Sequence, residues 1–510
     1  MFVLFVIFLH LRMYVKILDT MDYKVKLGEI KKFMFENTSL KQTLLKNTFW
    51  LSFGNIAGRF IKAILIIYSA RVLGVAGYGT FSYILTLAAF LSLFADLGVT
   101  AIITREGAKD HTRLPFFLAT AFYMKLGLSF ISVLTVIFVA PFFTQIPDAM
   151  KLLPLAALLI VLDNFRDLFI SIGRSQQRME KEALINIFTY IAITISGIVA
   201  LVIFSSVKSL IIGYIIGSAT GTLFAFILFR HHFVGIWHHY DKTLFKKIFA
   251  EGWMFALWGL LGGIMLNTDT IMLGWLTNAQ EVGYYSAAQR TILILYTIPA
   301  LLASAFFPVF AKLANKDDSR FSSVFEKSIK ISLMIALPMI AGGLILSYKI
   351  IQLLYGNAYT PSVTTFSILL FTVLIVFPST FIGNAIFAYN KHKVFVGFLT
   401  LGVLSNVTLN YLLIPRFGIE GSAVATIIAQ LLANGLGFIE MKKINNFKVL
   451  KYLPKIFMAT IVMSILTLFL NNLGVNVVIN IMISSIVYFG ILYLLKESLL
   501  DKRALFDTLR

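Results

Sequence analysis

Five basic residues stand inside long apolar stretches of this chain: Arg59, Lys62, Lys125, Arg166 and Arg290. An ionisable group held in hydrocarbon costs at least ~2.5–3.5 kcal/mol, so each should face a partner or a polar cavity. Around Arg59 and Lys62 the polar residues Thr48, Ser52, Asn55 and Ser69 recur at spacings of three, four or seven, which places them on one stripe of a helix. Ser286, Arg290, Thr297 and Ser304 form a similar stripe. Asp163 or Asp167 can neutralise Arg166 within one helix, and Asp96 is available to Arg59 or Lys62. The acids are too few to pair every cation. Arg59, Lys62, Lys125 and Arg290, with Asn55 and Asp96 beside them, therefore suit an anionic substrate, and the planar arginine fork suits diphosphate oxygens.

A second set consists of Asp269 in the segment NTDT, Asn406 and Asn410 four residues apart on one helical face, and Thr426. One carboxylate with amide and hydroxyl oxygens is a hard-oxygen set suited to Na⁺. The same residues serve equally as interhelical hydrogen-bonding groups. No cofactor is expected beyond a coupling ion, Na⁺ or H⁺. The chain has no cysteine, which excludes disulfides, thiolate metal sites and thiol nucleophiles. No GxxxxGK[ST] phosphate loop and no HExxH motif occurs. His231, His232, His238 and His239 cluster between two apolar stretches without a clear carboxylate ligand, and read as a solvated loop.

Fourteen helices must position these groups. Apolar stretches run near 47–72, 78–104, 114–143, 151–172, 183–205, 209–229, 250–275, 282–310, 328–347, 363–389, 394–414, 419–439, 454–471 and 475–495. Each is long enough to cross the hydrocarbon layer, which takes about 20 residues. Of the 44 lysines and arginines, only Arg71, Lys151, Lys208, Lys349 and Arg416 belong to odd-numbered loops. Cytoplasmic loops retain basic residues, so both termini are expected in the cytoplasm. Hydrophobic residues are 59% of the chain and charged residues 13%, against about 25% charged in a soluble protein. The +20 net charge therefore reflects short loops beside anionic lipid head groups, not a nucleic-acid partner. The apolar run at 1–9 is too short to span, and the basic segment after it is expected at the membrane surface.

Two six-helix units are visible. Gly77-Tyr78 and Gly283-Tyr284 stand 206 residues apart, while GSAxGT at 217–222 and GSAxAT at 421–426 stand 204 apart. An even number of spans per unit makes the repeats parallel, related by a pseudo-twofold axis along the membrane normal. The expected fold is an all-α polytopic membrane protein. It comprises an N-terminal extension (1–46), an N-lobe (47–240), a C-lobe (241–445), and two extra helices with a tail (446–510).

The stretch 47–110, with its LGVAGYG, ADLG and TRE segments, and the turn IPRFGIEGSA at 414–423 resemble the Wzx-type polysaccharide-biosynthesis flippases of the multidrug/oligosaccharidyl-lipid/polysaccharide exporter superfamily. The resemblance covers about 47–495. It implies export of a polyprenyl-diphosphate-linked oligosaccharide to the outer leaflet of the cell membrane, alongside membrane lipids and polysaccharide assembly machinery, and no enzymatic activity. Related lipid II flippases place arginines of helices 1 and 8 in a cationic cavity, where Arg59 and Arg290 match and Lys62 is a third candidate. Their sodium site matches at Asp269, Asn406 and Thr426, but Asn410 stands where a second acid is expected. The rival readings are a cation-coupled drug or metabolite exporter of the same superfamily and a membrane glycosyltransferase or polymerase. Fourteen spans and basic cavity residues disfavour the first, and uniformly short odd-numbered loops disfavour the second.

Overall fold

A computed structural model describes residues 28, 32–449 and 453–497. The apolar run at 1–9, most of the extension up to residue 31 and the tail past residue 497 lie outside the described residues. The described chain is almost wholly helical, with no strand among the described residues. Hydrocarbon offers the backbone no hydrogen-bond partners, so each crossing segment must satisfy its own amides.

All fourteen expected spans are helices. They are α1 (40–73), α2 (75–96), α3 (Leu114–Phe143), α4 (Pro147–Ser175), α5 (Met179–Ile203), α6 (Val207–Phe229), α7 (Lys242–Leu276) and α8 (Ala279–Leu313). There follow α9 (Asp318–Tyr355), α10 (Ser362–Ala388), α11 (392–417), α12 (419–444), α13 (Leu453–Asn472) and α14 (Val477–Leu494). By length and apolar composition alone, 11 helices among the described residues qualify as spans. Two of those runs each hold two helices, because the chain kinks at Gly74 (φ 67°) and Gly418 (φ 53°), values that favour glycine. The remaining helix, α4, is excluded by its charges Lys151, Asp163, Arg166 and Asp167.

Helix ends fall where the sequence supplies caps. Ser206, Asp241, Asn278 and Asp317 each accept a backbone N–H from the first turn of α6, α7, α8 and α9. Pro299 cannot donate to the ladder, and α8 is interrupted at Tyr296 just before it.

The two ends of the bundle differ. At the end carrying the odd-numbered loops, one apolar core joins both halves of the chain, including Leu65, Tyr78, Tyr285, Tyr355, Tyr359 and Ile419. Tyr359 Oη donates to Ala70 O at 2.9 Å and Gly74 O at 3.2 Å, and Arg71 Nε donates to Leu354 O at 3.0 Å. At the even-loop end the core divides. One part surrounds Val99, Phe117 and Phe229 with the first turns of α7, and the other surrounds Phe310, Phe321 and Phe447. Leu244 and Ile248 of α7 join the first of these parts, and a charged strap reinforces the contact: Arg105 pairs with Glu251, and Lys247 Nζ lies 3.1 Å from Glu106. Helices α13 and α14 pack on α9 through Met334, Ile456, Met463 and Tyr488.

Candidate functional site

α1 and α8 face one another across the middle of the bundle. Arg59 reaches from α1 to α8, where it donates to Thr297 Oγ1 at 2.6 Å and approaches Leu293 O at 3.5 Å. One turn further along α1, Lys62 lies over the rings of Tyr190 (5.9 Å) and Tyr214 (5.7 Å), with Arg290 as the neighbouring cation. Arg290 in turn stands beside the Tyr78 hydroxyl. Among the described residues, no carboxylate lies within ion-pair distance of Arg59, Lys62 or Arg290. Three uncompensated cations on facing helices make a site that attracts an anion. Asn55 lies one turn before Arg59, exposed, its amide donating to Leu51 O at 2.8 Å.

Two of the expected cavity residues are engaged elsewhere. Lys125 is fully buried, with its Nζ 2.8 Å from Asp96 Oδ1 and 2.9 Å from Asn164 O. Asn164 Nδ2 extends the knot to Ala95 O at 3.0 Å and Ser129 Oγ at 2.6 Å. Asp96 thus pairs with Lys125 of α3, not with Arg59 or Lys62, and Lys125 is removed from the cationic face. In α4, Arg166 pairs with Asp163 at 2.7 Å, and Ser218 of α6 bonds to both.

Where α2 meets α8 at the odd-loop end, the backbones nearly touch. A Cβ on Gly79 would collide with Ala279 O, and one on Gly283 with Val75 O. These reciprocal glycines are 204 residues apart, the interval of the GSA segments, so pairing Gly77 with Gly283 is two residues out of register. One turn beyond each glycine stand Ser82 and Ser286, 0% and 2% exposed, and neither hydroxyl has a hydrogen-bond partner. The Tyr78 hydroxyl is buried as well, near Ser82 and Arg290 but without a well-formed hydrogen bond. Each such orphan costs about 1–3 kcal/mol.

The four residues of the second set do converge. Asp269, 1% exposed, accepts from Asn410 Nδ2 at 2.8 Å, Asn406 Nδ2 at 3.1 Å, Thr426 Oγ1 at 2.7 Å and Tyr285 Oη at 2.7 Å. Asn410 is fixed in that orientation, because its nitrogen also donates to Asn406 O and its oxygen accepts from Ser422. The carboxylate is therefore met by four donors and no amide oxygen. That arrangement does not fit a sodium ion, although Asn406 Oδ1 is left without a partner. Tyr285 and Ser422 were not among the expected residues. Tyr285 reaches Asp269 across the α7–α8 hairpin, a register that no linear spacing reveals, and Ser422 lies inside the GSA segment one turn before Thr426.

A family profile described as polysaccharide biosynthesis protein matches residues 44–314, and a MatE profile matches residues 256–412. The chain is 25% identical over 415 residues to a putative O-antigen transporter of Shigella flexneri, covering 76% of this chain and 96% of that one. It is 24% identical over 394 residues to the probable flippase AglR of Haloferax volcanii, covering 75% and 80%. Its fold is similar to that of a lipid II flippase MurJ in an inward closed conformation, with TM-score 0.71 and 19% identity over 89% of this chain and 99% of the other. An inward-facing multidrug resistance MATE family transporter gives TM-score 0.56 at 16% identity over 76% and 94%.

Proposed function

The chain belongs to the polysaccharide biosynthesis protein family, within the exporter superfamily of flippases and MATE transporters, and from that premise we propose that it is a flippase. It carries a polyprenyl-diphosphate-linked oligosaccharide from the cytoplasmic to the outer leaflet of the cell membrane for surface polysaccharide assembly. The observation that carries this reading is the set Arg59, Lys62 and Arg290, three cations on facing surfaces of α1 and α8 without acidic partners among the described residues.

In this reading both termini are cytoplasmic and the odd-numbered loops face outside, as the basic-residue bias requires. The lobes 47–240 and 241–445 rock about the cationic face, closed at the outer end by the shared core and strapped at the inner end by Arg105, Glu106, Lys247 and Glu251. The diphosphate binds the cations while its polyprenyl tail stays in lipid. Outward movement of negative charge is favoured by an inside-negative potential, at ~2.3 kcal/mol per charge per 100 mV. No bond is made or broken, so no catalytic residue is assigned.

The MatE match at 256–412 favours a second reading, a cation-coupled drug or metabolite exporter. The two separate on one assay. A strain lacking the chromosomal copy should lose surface polymer, accumulate lipid-linked precursor on the cytoplasmic side and recover with the wild-type gene. Normal polymer in the deletion strain, with altered drug tolerance, would replace the flippase by the exporter.

A further inference from the structure

Resting on the flippase reading, we propose that the hydroxyls of Tyr78, Ser82 and Ser286 form, with Arg290, a second diphosphate-holding subsite that opens only when the outer ends of α2 and α8 part. Serines within these helices usually return their hydroxyl to a carbonyl of the preceding turn, as Ser92 does to Ala88 O at 2.8 Å and Ser196 to Ala192 O at 2.6 Å. Ser82 and Ser286 do not, and the Tyr78 hydroxyl has Ser82 and Arg290 as polar neighbours without a well-formed hydrogen bond to either. All three are buried just inside the Gly79–Gly283 crossing, and Arg290 lies one helical turn past Ser286 beside the Tyr78 hydroxyl.

Three idle donors at one crossing set the closed outer end against itself. Separation of α2 and α8 would free them toward whatever the cavity holds. The set is three O–H donors and a guanidinium with no acid among them, which matches phosphate oxygens rather than a cation. A ligand shifts a conformational equilibrium only by binding one state better than the other. Groups sealed in the closed state and bonded in the open one supply that difference.

The placement also gives a direction. Thr297, where Arg59 contacts α8, lies seven residues on the cytoplasmic side of Arg290, or about 10 Å at 1.5 Å per residue. Ser286 lies four residues on the outer side, or about 6 Å. The head group would pass from Arg59 to Arg290 and then to the hydroxyls.

The triple variant Tyr78→Phe, Ser82→Ala, Ser286→Ala removes the donors without adding bulk. Its melting temperature should equal or exceed that of the wild type, because the orphans are gone, while surface polymer export falls tenfold or more. In purified protein, inorganic pyrophosphate should raise the wild-type melting temperature and shift the triple variant less than half as far. A neutral disaccharide should not distinguish the two. Normal export by the triple variant, an equal pyrophosphate shift, or a disaccharide shift lost in the variant would each overturn the subsite. Arg59→Ala run in parallel separates the two claims. If the deletion strain keeps normal polymer, the flippase reading fails; if Arg59→Ala loses export and the triple variant does not, only the subsite fails.

Discussion

Asn410 Nδ2 lies 2.8 Å from Asp269 Oδ1, so the amide meets the buried carboxylate as a donor and turns its oxygen to Ser422. Tyr285, Thr426 and Asn406 complete a shell of donors around the acid. The α7, α8, α11 and α12 helices are thereby tied together.

The melting temperature of the purified wild-type protein should be the same in NaCl, KCl and choline chloride at equal ionic strength. Asn410→Asp adds a second acid to the set and should create a saturable dependence on Na⁺, since a ligand bound only by the native state stabilises it by mass action. Asp269→Asn should remove that dependence in the double variant. A sodium-specific shift in the wild type would mean that the knot rearranges around an ion.

Lys125 and Asp96 supply a stability prediction. Removing one partner of a fully buried pair costs about 3–5 kcal/mol. Asp96 is partly exposed, so the charge left by losing Lys125 is part-hydrated and the cost is smaller. Lys125→Met should lower the melting temperature and reduce membrane yield. Lys125→Met with Asp96→Leu should recover much of the loss, because an apolar replacement of both partners is often neutral. Failure of the double variant to melt higher than Lys125→Met would show that Asn164 and Thr100, which bond to Lys125 and Asp96, dominate the knot.

The contrast between Lys125 and Arg59 shows how much of this site the sequence discloses. Helix number follows from apolar length, and the shared stripe of Arg59 and Lys62 follows from helical period, so both are legible. Which face of α3 carries Lys125 inward is set by packing against α2 and α4. Nothing in the one-dimensional pattern distinguishes a cavity cation from a buried one. Asp269, Asn406, Asn410 and Thr426 were recognisable as a group by depth and residue type. The orientation of each amide, which decides between donor and oxygen ligand, depends on neighbours such as Ser422 that only the fold brings near. The Ser82–Ser286 relation was hidden by a repeat register two residues in error, and the glycine crossing corrects it.

Glu106 belongs to the charged strap at the even-loop end. Lys109 at 2.8 Å, with Lys247 and Arg105, holds its carboxyl down to about 2 against the opposing effect of burial. A carboxyl lowered on folding contributes stability that is present above its unfolded range, near 4.5, and is lost as pH falls toward 2. Glu106→Gln should flatten the decline of melting temperature over that interval. At neutral pH it should also raise labelling of a cysteine placed at Thr297 from the cytoplasmic side, by loosening the strap. Unchanged labelling and an unchanged acid profile would leave the strap without a gating role.

Orientation is open to direct measurement because the chain has no cysteine. Lys208 and Asn357 are exposed at the odd-loop end, and Arg178 and Lys316 at the even-loop end. Single cysteines at 208 and 357 should react with an impermeant thiol reagent added to intact cells, and those at 178 and 316 only after permeabilisation. The reverse pattern would invert the protein in the membrane and with it the direction of transport.

The final prediction concerns the cations themselves. Arg59 is exposed and is held by a hydroxyl and a carbonyl of α8, neutral partners that do not cancel its charge. Its removal should leave the fold intact, and Arg59→Ala should melt within a few degrees of the wild type. A hydrogen bond to a charged group contributes about 1.5–3 kcal/mol, so losing one arginine should reduce export about ten- to a hundredfold. Arg290→Ala should do the same, and the double variant should fall to the level of the deletion strain. Arg59→Lys keeps the charge but not the planar fork that grips two phosphate oxygens, so partial export is expected. Thr297→Ala frees Arg59 from its contact on α8 and should leave export nearly normal, because the hydroxyl only parks the guanidinium. Wild-type levels of polymer in the Arg59→Ala, Arg290→Ala strain would remove the anionic head group from this cationic face.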